Sequence, residues 1–363
     1  MTTDKYQKLP LFHFSTELKK RHTKKNLRCV IFGNFGAMNL GDEAILAGEI
    51  QELQKLPNIS ITVVARYPEE IRRLHPVQSI SLYNLREIRR AIKKSDLVIV
   101  GGGGLINKVE RSLIGFGYQL YMLFAFFFLP RFYKRKLYIL GIGIYDNANP
   151  IIMSFALPLI KYASIITVRD YHSYAFLKSK NVHAILYKDN SFLMDLASEE
   201  EVMREELIKN AYRKGRKNIG ISLVKPDTVA EEKRLIKEMA AFMLKNHKTA
   251  DFWFYPADYN PEYEGDHTLM QKVLAEAKKQ TQDQIVLHIV PMKASPQVFF
   301  GSIKLMTSFV AMRFHAAVFA YRNHVPFVGI SYDKKCASFI ESVGRTPLSL
   351  KNLTEENISK NIL

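Results

Sequence analysis

Arg313 and His315 stand two positions apart in the run Val310-Ala311-Met312-Arg313-Phe314-His315-Ala316, where a short β-branched stretch gives way to a helical one. An arginine at such a junction can grip a carboxylate or phosphate, and a histidine, titrating near neutral pH, can give or take a proton. The start of a helix favours an anion at the same place. Val328-Gly329-Ile330-Ser331-Tyr332-Asp333-Lys334-Lys335 repeats the pattern of strand, turn and cationic helix start, and adds Lys335. Ile165-Ile166-Thr167-Val168-Arg169-Asp170 ends a further strand on an arginine, with a salt bridge to Asp170 or another acid as the plain alternative. Arg169, Arg313, His315 and Lys335, each at a strand end, describe a site for a small, multiply charged anion. No spacing of His, Cys, Asp and Glu suggests a metal site, and no cofactor is expected.

Two glycine-rich turns accompany these cations. In the first, strand Val30-Ile31-Phe32 runs into Gly33-Asn34-Phe35-Gly36-Ala37-Met38-Asn39-Leu40-Gly41-Asp42-Glu43 and then a helix. The spacing is not that of a dinucleotide fingerprint, and no Gly-Lys-Ser/Thr makes it a P-loop. Asp42 can cap the helix, and with Glu43 it would repel a phosphate. Gly33, Asn34, Gly36, Asn39, Gly41, Asp42 and Glu43 are therefore candidate loop residues of a cleft, set apart from the phosphate. In the second, Asp96-Leu97-Val98-Ile99-Val100 leads to Gly101-Gly102-Gly103-Gly104-Leu105-Ile106-Asn107. A run of four glycines is costly in conformational entropy, and it lays bare backbone at the carboxyl end of a buried strand, where α/β folds bind ligands. Gly102, Gly103 and Gly104 join the candidate loops.

The elements that must carry these residues alternate in type. Apolar runs Leu97–Val100, Leu137–Leu140 and Ile165–Val168 alternate with helical stretches Asp42–Leu56, Leu85–Lys94, Ser112–Leu129 and Ile151–Tyr162. The alternation restarts at Asn218–Val224 and continues to Phe327–Ile330, which predicts βαβ units on mostly parallel sheets. The fold class expected is α/β, two Rossmann-like domains facing across a cleft in the manner of GT-B glycosyltransferases. A basic tail is expected over 1–26, an N-terminal Rossmann-like domain over 27–197, and a C-terminal Rossmann-like domain over 198–363.

The chain of 363 residues is 47% hydrophobic and 24% charged, a globular composition. Cys29 and Cys336 make no CxxC pair, which fits a reducing cytosol. An excess of 52 basic over 35 acidic residues implies an anionic partner. Eight of the first 28 residues are Lys or Arg, against Asp4 and Glu17, and Arg131, Lys134, Arg135 and Lys136 follow the apolar run Leu113–Leu129. That run is 17 residues long and stops at Pro130, at the bottom of the spanning range of about 17–25, so a buried or membrane-facing helix is expected rather than a span. The apolar patch Leu9–Phe14 is too short for a signal peptide. The basic runs lack interleaved aromatics, so nucleic acid is an unlikely partner.

In this order the motifs resemble those of the polysaccharide pyruvyltransferase family. They are Gly33-x-x-Gly36-x-x-Asn39-x-Gly41-Asp42-Glu43-Ala44-Ile45-Leu46, the four glycines with Leu105, Gly141-Ile142-Gly143-Ile144, Thr167-Val168-Arg169-Asp170, Met312-Arg313-Phe314-His315 and Ile330-Ser331-Tyr332-Asp333-x-Lys335. The resemblance covers about residues 27–345. It implies two Rossmann-like domains, phosphoenolpyruvate as donor substrate and no obligate metal. It also implies donor-binding or catalytic roles for Arg313, His315 and Lys335, with Arg169 on the donor. Lys188-Asp189 and Gly141-Ile142-Gly143-Ile144-Tyr145-Asp146 depart from the family's usual Pro-Asp and longer glycine run. The function expected is transfer of a carboxyvinyl unit to sugar hydroxyls of a surface polysaccharide or its lipid-linked precursor. The alternatives are a nucleotide-sugar glycosyltransferase and a non-catalytic protein bound to an anionic membrane surface. The expected place is the cytoplasm, peripheral on the inner membrane face.

Overall fold

The computed structural model describes residues 4–22, 26–106, 113–144, 149–259 and 265–362. Lys24 and Lys25 of the basic run, Asn107 after the glycines, and Tyr145 and Asp146 lie outside them. The chain forms two units. The N-terminal unit comprises Leu9–Met38 and Asp42–Met194; the C-terminal unit comprises Asp195–Leu363 with Met1–Lys8 and Asn39–Gly41.

In the N-terminal unit the strands are β1 (Leu27–Phe32), β2 (Ile59–Ala65), β3 (Gln78–Ser81), β4 (Leu97–Val100), β5 (Gly103–Ile106), β6 (Lys136–Ile144), β7 (Ile165–Val168) and β8 (Ile185–Leu186). They form one parallel sheet in the order β3-β2-β1-β4-β6-β7-β8, with β5 beside β6. Parallel strands need helical crossovers, which cover both faces, so inner strands read as unbroken apolar runs. All four side chains of β4 are fully buried. Val30, Phe32, Val98 and Val100 pack into one core, and Cys29, Ile31, Leu97 and Ile99 into the core on the other face.

The C-terminal unit repeats the scheme with β9 (Lys217–Ser222), β10 (Ala250–Phe254), β11 (Leu287–Ile289), β12 (Ser308–Ala311), β13 (Phe327–Ser331) and β14 (Leu348–Ser349). The order is β11-β10-β9-β12-β13-β14, all parallel. Ile219, Ile221, Val310 and Val328 pack with Leu235 and Met239 of the helix Val229–Asn246. The charged stretch from 198, expected as the boundary, contributes the short helices Glu199–Val202 and Glu206–Ala211 to this unit.

Two segments differ from the sequence reading. The residues expected as a basic tail include the helix Phe14–Arg21, whose Phe14 and Leu18 are buried with Phe12 beside Leu27 and Cys29. Its apolar positions give it something to bury, and the Ser15 hydroxyl donates to the buried Glu52 carboxylate at 2.6 Å. The apolar helix expected to stop at Pro130 instead runs as Leu113–Leu123, a π turn Phe124–Phe128, and Leu129–Phe132. Proline has no N–H to give and clashes with the carbonyl four residues back. The Leu129 amide bonds Phe124 in the wider π pattern, and Pro130 sits at the start of the last turn.

Candidate functional site

In an open parallel sheet, ligands bind beyond the carboxyl ends of the strands where the strand order reverses. In the N-terminal unit that point lies between β1 and β4, and in the C-terminal unit between β9 and β12. The segments leaving those strands are Gly33–Phe35, Gly101–Gly103 and Met312–His315. Three of the motifs singled out in the sequence thus stand at switch points.

In the C-terminal unit, β12 delivers Arg313 as the residue capping the helix Phe314–Arg322, and His315 lies in its first turn. The junction is pinned from several sides. The Met312 amide donates to the Ser222 carbonyl at 2.9 Å. The buried Cys336 thiol faces the Met312 and Ile330 carbonyls. Burial pushes that thiol's pKa well above its usual value, so it serves as a weak donor rather than a nucleophile. Phe314 packs edge-on against both His315 and Phe339.

Arg313 already has partners. Its guanidinium forks onto the Asp266 carboxylate, with Nε at 3.0 Å, and Asp258 lies 3.6 Å away. Burial opposes the cation, but Asp266 outweighs it and the guanidinium pKa is raised, so Arg313 stays charged. Asp266 is 2% exposed and also accepts from the Ala257 and Asp258 amides. His315 is close to Gly41, since a Cβ there would lie 2.2 Å from His315 Nδ1. Asn39–Gly41 belongs to this unit: Leu40 donates to the Ala257 carbonyl at 2.8 Å, and Asn39 pairs with Asp258. Lys335 is the second residue of the helix Lys334–Ser342 after β13, is nearly buried, and lies 4.0 Å from Asp333, whose carboxylate caps the helix at Cys336. A cavity of about 300 Å³ opens beside it, lined among others by Lys225, Ser331, Tyr332, Lys334 and Lys351. Arg313, His315 and Lys335 itself are not in that lining.

In the N-terminal unit the loop after β1 is held mostly by itself. Gly36 has φ +65°, and a Cβ there would lie 2.8 Å from the Tyr67 carbonyl oxygen. Glu43, expected to face a ligand, is 1% exposed and turns inward; it accepts from the Gly36 amide at 2.6 Å and meets His75 Nε2 at 3.0 Å. Asn34 and Asp42 stay at least partly open, joined at 2.8 Å. Gly33 underlies the Phe35 ring. A Cβ at Gly103, φ +101°, would lie 3.0 Å from Asp42, and one at Gly143 would lie 3.5 Å from the Arg169 guanidinium. Gly104 continues β5. Asn34, Asp42, Gly103 and Arg169 are therefore neighbours within this unit, and Asp42 adds to the field that keeps Arg169 charged.

Arg169 sits in a buried ion pair. The acid is Asp189, at 2.6 Å, while Asp170 caps the helix Tyr171–Ser179 through Ser173. Burial works against the Arg169 cation, and Asp189 more than offsets it.

Two acids were not singled out in the sequence. Asp266 anchors Arg313. Glu49, fully buried on the helix Leu40–Gln54, accepts from the Asn190 side-chain amide at 2.8 Å and the Gly102 amide at 3.3 Å. A Cβ at Gly101 would lie 2.4 Å from Glu49 Oε2, and one at Gly141, φ +64°, would lie 3.1 Å from the Asn190 amide. Glu49 and Asn190 thus hold the glycine-rich ends of β4 and the bend in β6. Burial raises the Glu49 pKa to about 8, more than its two hydrogen bonds lower it. Among the described residues no group of three or more His, Cys, Asp and Glu could hold a metal ion.

Comparison with known proteins gives a family and a fold. A family model described as polysaccharide pyruvyl transferase matches residues 39–334. A search of curated proteins gives no match. Among solved structures, UDP-GlcNAc 2-epimerase from Methanocaldococcus jannaschii aligns with a TM-score of 0.61 at 12% identity, covering 92% of this chain and 91% of that one. E. coli ADP-heptose LPS heptosyltransferase II aligns at 0.52 and 13%, covering 92% and 97%. The UDP-forming trehalose-phosphate synthase of Burkholderia vietnamiensis aligns at 0.52 and 10%, covering 94% and 91%. At these identities the likeness is one of fold, the two-domain α/β architecture of GT-B enzymes.

Proposed function

Since the chain belongs to the polysaccharide pyruvyl transferase family, we propose that it moves the carboxyvinyl unit of phosphoenolpyruvate onto sugar hydroxyls of a cell-surface polysaccharide or its lipid-linked precursor, forming a pyruvate ketal. The observation that carries the reading is the arrival of Arg313 and His315 together at the switch point of the C-terminal sheet, inside the matched span.

In this reading Arg313 and Lys335 hold the carboxylate and phosphate of the donor. His315 protonates the methylene carbon, leaving an oxocarbenium-like centre, to which an acceptor hydroxyl adds as its proton returns to the imidazole. A second hydroxyl of the sugar displaces phosphate at the same carbon, closes the ketal, and its proton leaves with inorganic phosphate. Cations around the donor stabilise the charge gathering on the departing group. Arg169 enters as a donor-binding cation on one condition, that Asp189 shares or releases it when an anion arrives. Asn34, Asp42 and the backbone at Gly102 and Gly103 are assigned to the glycan, because hydroxyls pair with amides and carboxylates. The setting is cytoplasmic, on the inner membrane face, where lipid-linked sugars are held.

Phosphate release from phosphoenolpyruvate, with cell-envelope glycan or lipid-linked oligosaccharide extract as acceptor, tests the proposal. Release that requires acceptor and is lost in His315→Ala is the expected result. A wild-type rate in His315→Ala would remove its catalytic role. Turnover of nucleotide sugars with phosphoenolpyruvate inert would overturn the reading as a whole.

A further inference from the structure

Fifteen large hydrophobic side chains stand exposed among the described residues, and eight of them lie on the helical segments Leu113–Phe132 and Pro150–Ile160. Leu113 is 91% exposed, Ile114 87%, Phe132 63% and Phe155 59%. Leu120, Phe124, Phe128 and Phe132 recur every four residues and so share one face of the helix. Phe124 and Phe128 stack at 5.4 Å, and Phe128 and Phe132 at 6.1 Å, as a column of rings on the outer surface. Ile151 and Phe155 extend the face from the second helix, which packs beside the π turn. A helix facing water carries charge on its outer side, yet no charged residue occurs from Leu113 to Pro130. An unbroken exposed apolar stripe of this length marks an interaction surface.

Cations gather where the stripe ends. Arg131 and Lys134 are exposed there. The helix Leu85–Lys94 brings Arg86, Arg89, Arg90, Lys93 and Lys94 to the same end, with Glu87 its one acid. Its position is fixed by Arg89 donating to the Tyr133 hydroxyl at 3.2 Å and by Arg135 donating to the Lys93 carbonyl at 2.6 Å.

We propose that this face of the N-terminal unit lies on an anionic lipid surface, with the Leu120–Phe132 stripe in the acyl boundary and the cations of 86–94 and 131–134 on headgroup phosphates. Twenty residues at about 1.5 Å each would reach across a bilayer, but the helix cannot leave the protein to do so. Its inner side, Leu123, Ala125, Phe126, Phe127 and Leu129, is core, with Phe126 at 4.6 Å from Phe32, and β6 begins at Lys136. The segment therefore rests in the plane of the interface. A lipid surface suits the face better than a second copy of the chain, because headgroup phosphates would answer the cations at the end of the stripe, whereas a parallel two-fold contact would set one cationic rim against the other and an antiparallel one would leave both without anions. This deepens the membrane-face setting proposed above, and it is tested without transfer activity, so either idea can fail alone.

The test is co-sedimentation of the full chain with phosphatidylcholine vesicles, with and without phosphatidylserine. Wild type is expected to bind the phosphatidylserine vesicles and to release as salt rises. Arg131→Glu with Lys134→Glu should weaken binding by more than about fivefold per position, since each cation near the surface contributes about that factor. Phe128→Ser with Phe132→Ser should abolish it while leaving the melting temperature in place, because both rings are exposed. Wild-type affinity in the serine variant, or no binding by wild type, overturns the proposal. So does a serine variant that merely converts a dimer to a monomer, which would identify the occupant as a second copy.

Discussion

Replacing Glu49 with Gln should make the protein more stable in mild alkali and leave it nearly unchanged in mild acid. The Glu49 carboxyl is fully buried, and its pKa lies at about 8 in the folded chain against an ordinary 4.5. A folded-state pKa above the unfolded value means the native state holds a proton that the unfolded chain gives up between those two pH values. The associated stability is complete below pH 4.5, declines as pH rises, and is gone above about 8. Three and a half units at about 1.36 kcal/mol each set a ceiling of roughly 5 kcal/mol, and local relaxation or water entry would leave about half of it. Gln keeps an acceptor for the Gly102 and Asn190 amides and has no proton to lose. Hydrogen exchange of the β1 and β4 amides reads the N-terminal unit directly. Fluorescence of Trp253, the single tryptophan and buried in the C-terminal unit, serves as an internal control that should not move. Protection in Glu49→Gln should match wild type near pH 4.5, exceed it by under about 1 kcal/mol near pH 5.5, and exceed it by some 2–3 kcal/mol near pH 8.5. Parallel profiles for the two proteins would mean that Glu49 is ionised throughout, and the account of how the β4 glycines are held would have to be abandoned.

Two further outcomes follow from close approaches and buried pairs. Gly41→Ala places a Cβ 2.2 Å from His315 Nδ1 and must move the ring; the transfer rate should drop by about 100-fold, as an ångström of misplacement can cost, with a smaller change in KM for phosphoenolpyruvate. A wild-type kcat would show that His315 does not touch the reacting atoms. Asp189→Asn strands the Arg169 guanidinium in the interior and should cost about 3–5 kcal/mol, read by urea unfolding followed at the β7 amides; a loss below 1 kcal/mol would mean that solvent reaches the pair.

The strand ends were legible because buried parallel strands are written as short apolar runs closed by glycines or by a polar turn, and β4, β7, β12 and β13 all have that form. β3, the sequence Gln78-Ser79-Ile80-Ser81, is a half-polar edge and β5 begins with two glycines, so neither carries a period-two apolar signal. The harder losses concern partners. A salt bridge for Arg169 could be anticipated, but Asp170 turned to its helix cap and the acid came from 20 residues on. Asp266 reaches Arg313 from 47 residues away, and Glu49 meets Asn190 from 141. An acid on a helix ordinarily signals a solvated face; only the tertiary fold turns Glu43 and Glu49 inward, and no local pattern encodes that.

The consequence is that the residues best placed to grip an anion are already compensated. Arg313 carries its charge into the site with Asp266 attached, so an arriving carboxylate or phosphate meets a neutral pair and competes with a carboxylate that two backbone amides also hold. Donor affinity should then be held down by Asp266 as much as it is supplied by Arg313. Asp266→Asn keeps an acceptor near the Ala257 amide and removes the competing charge. A repulsion between two unit charges about 6 Å apart is worth roughly 1–3 kcal/mol between bulk water and an effective dielectric of 20, so phosphoenolpyruvate should bind between about three- and a hundredfold more tightly. Calorimetric titration reads this directly, and rising salt should erode the gain because the exposed part of the guanidinium is screened. Arg313→Lys, which keeps the charge but loses the fork, separates the two functions: it should weaken donor binding whether or not Asp266 is present. If Asp266→Asn leaves the affinity unchanged and Arg313→Lys does the same, then Arg313 is part of the scaffold of the β12 switch point, and the donor is held by Lys335 and the helix start alone.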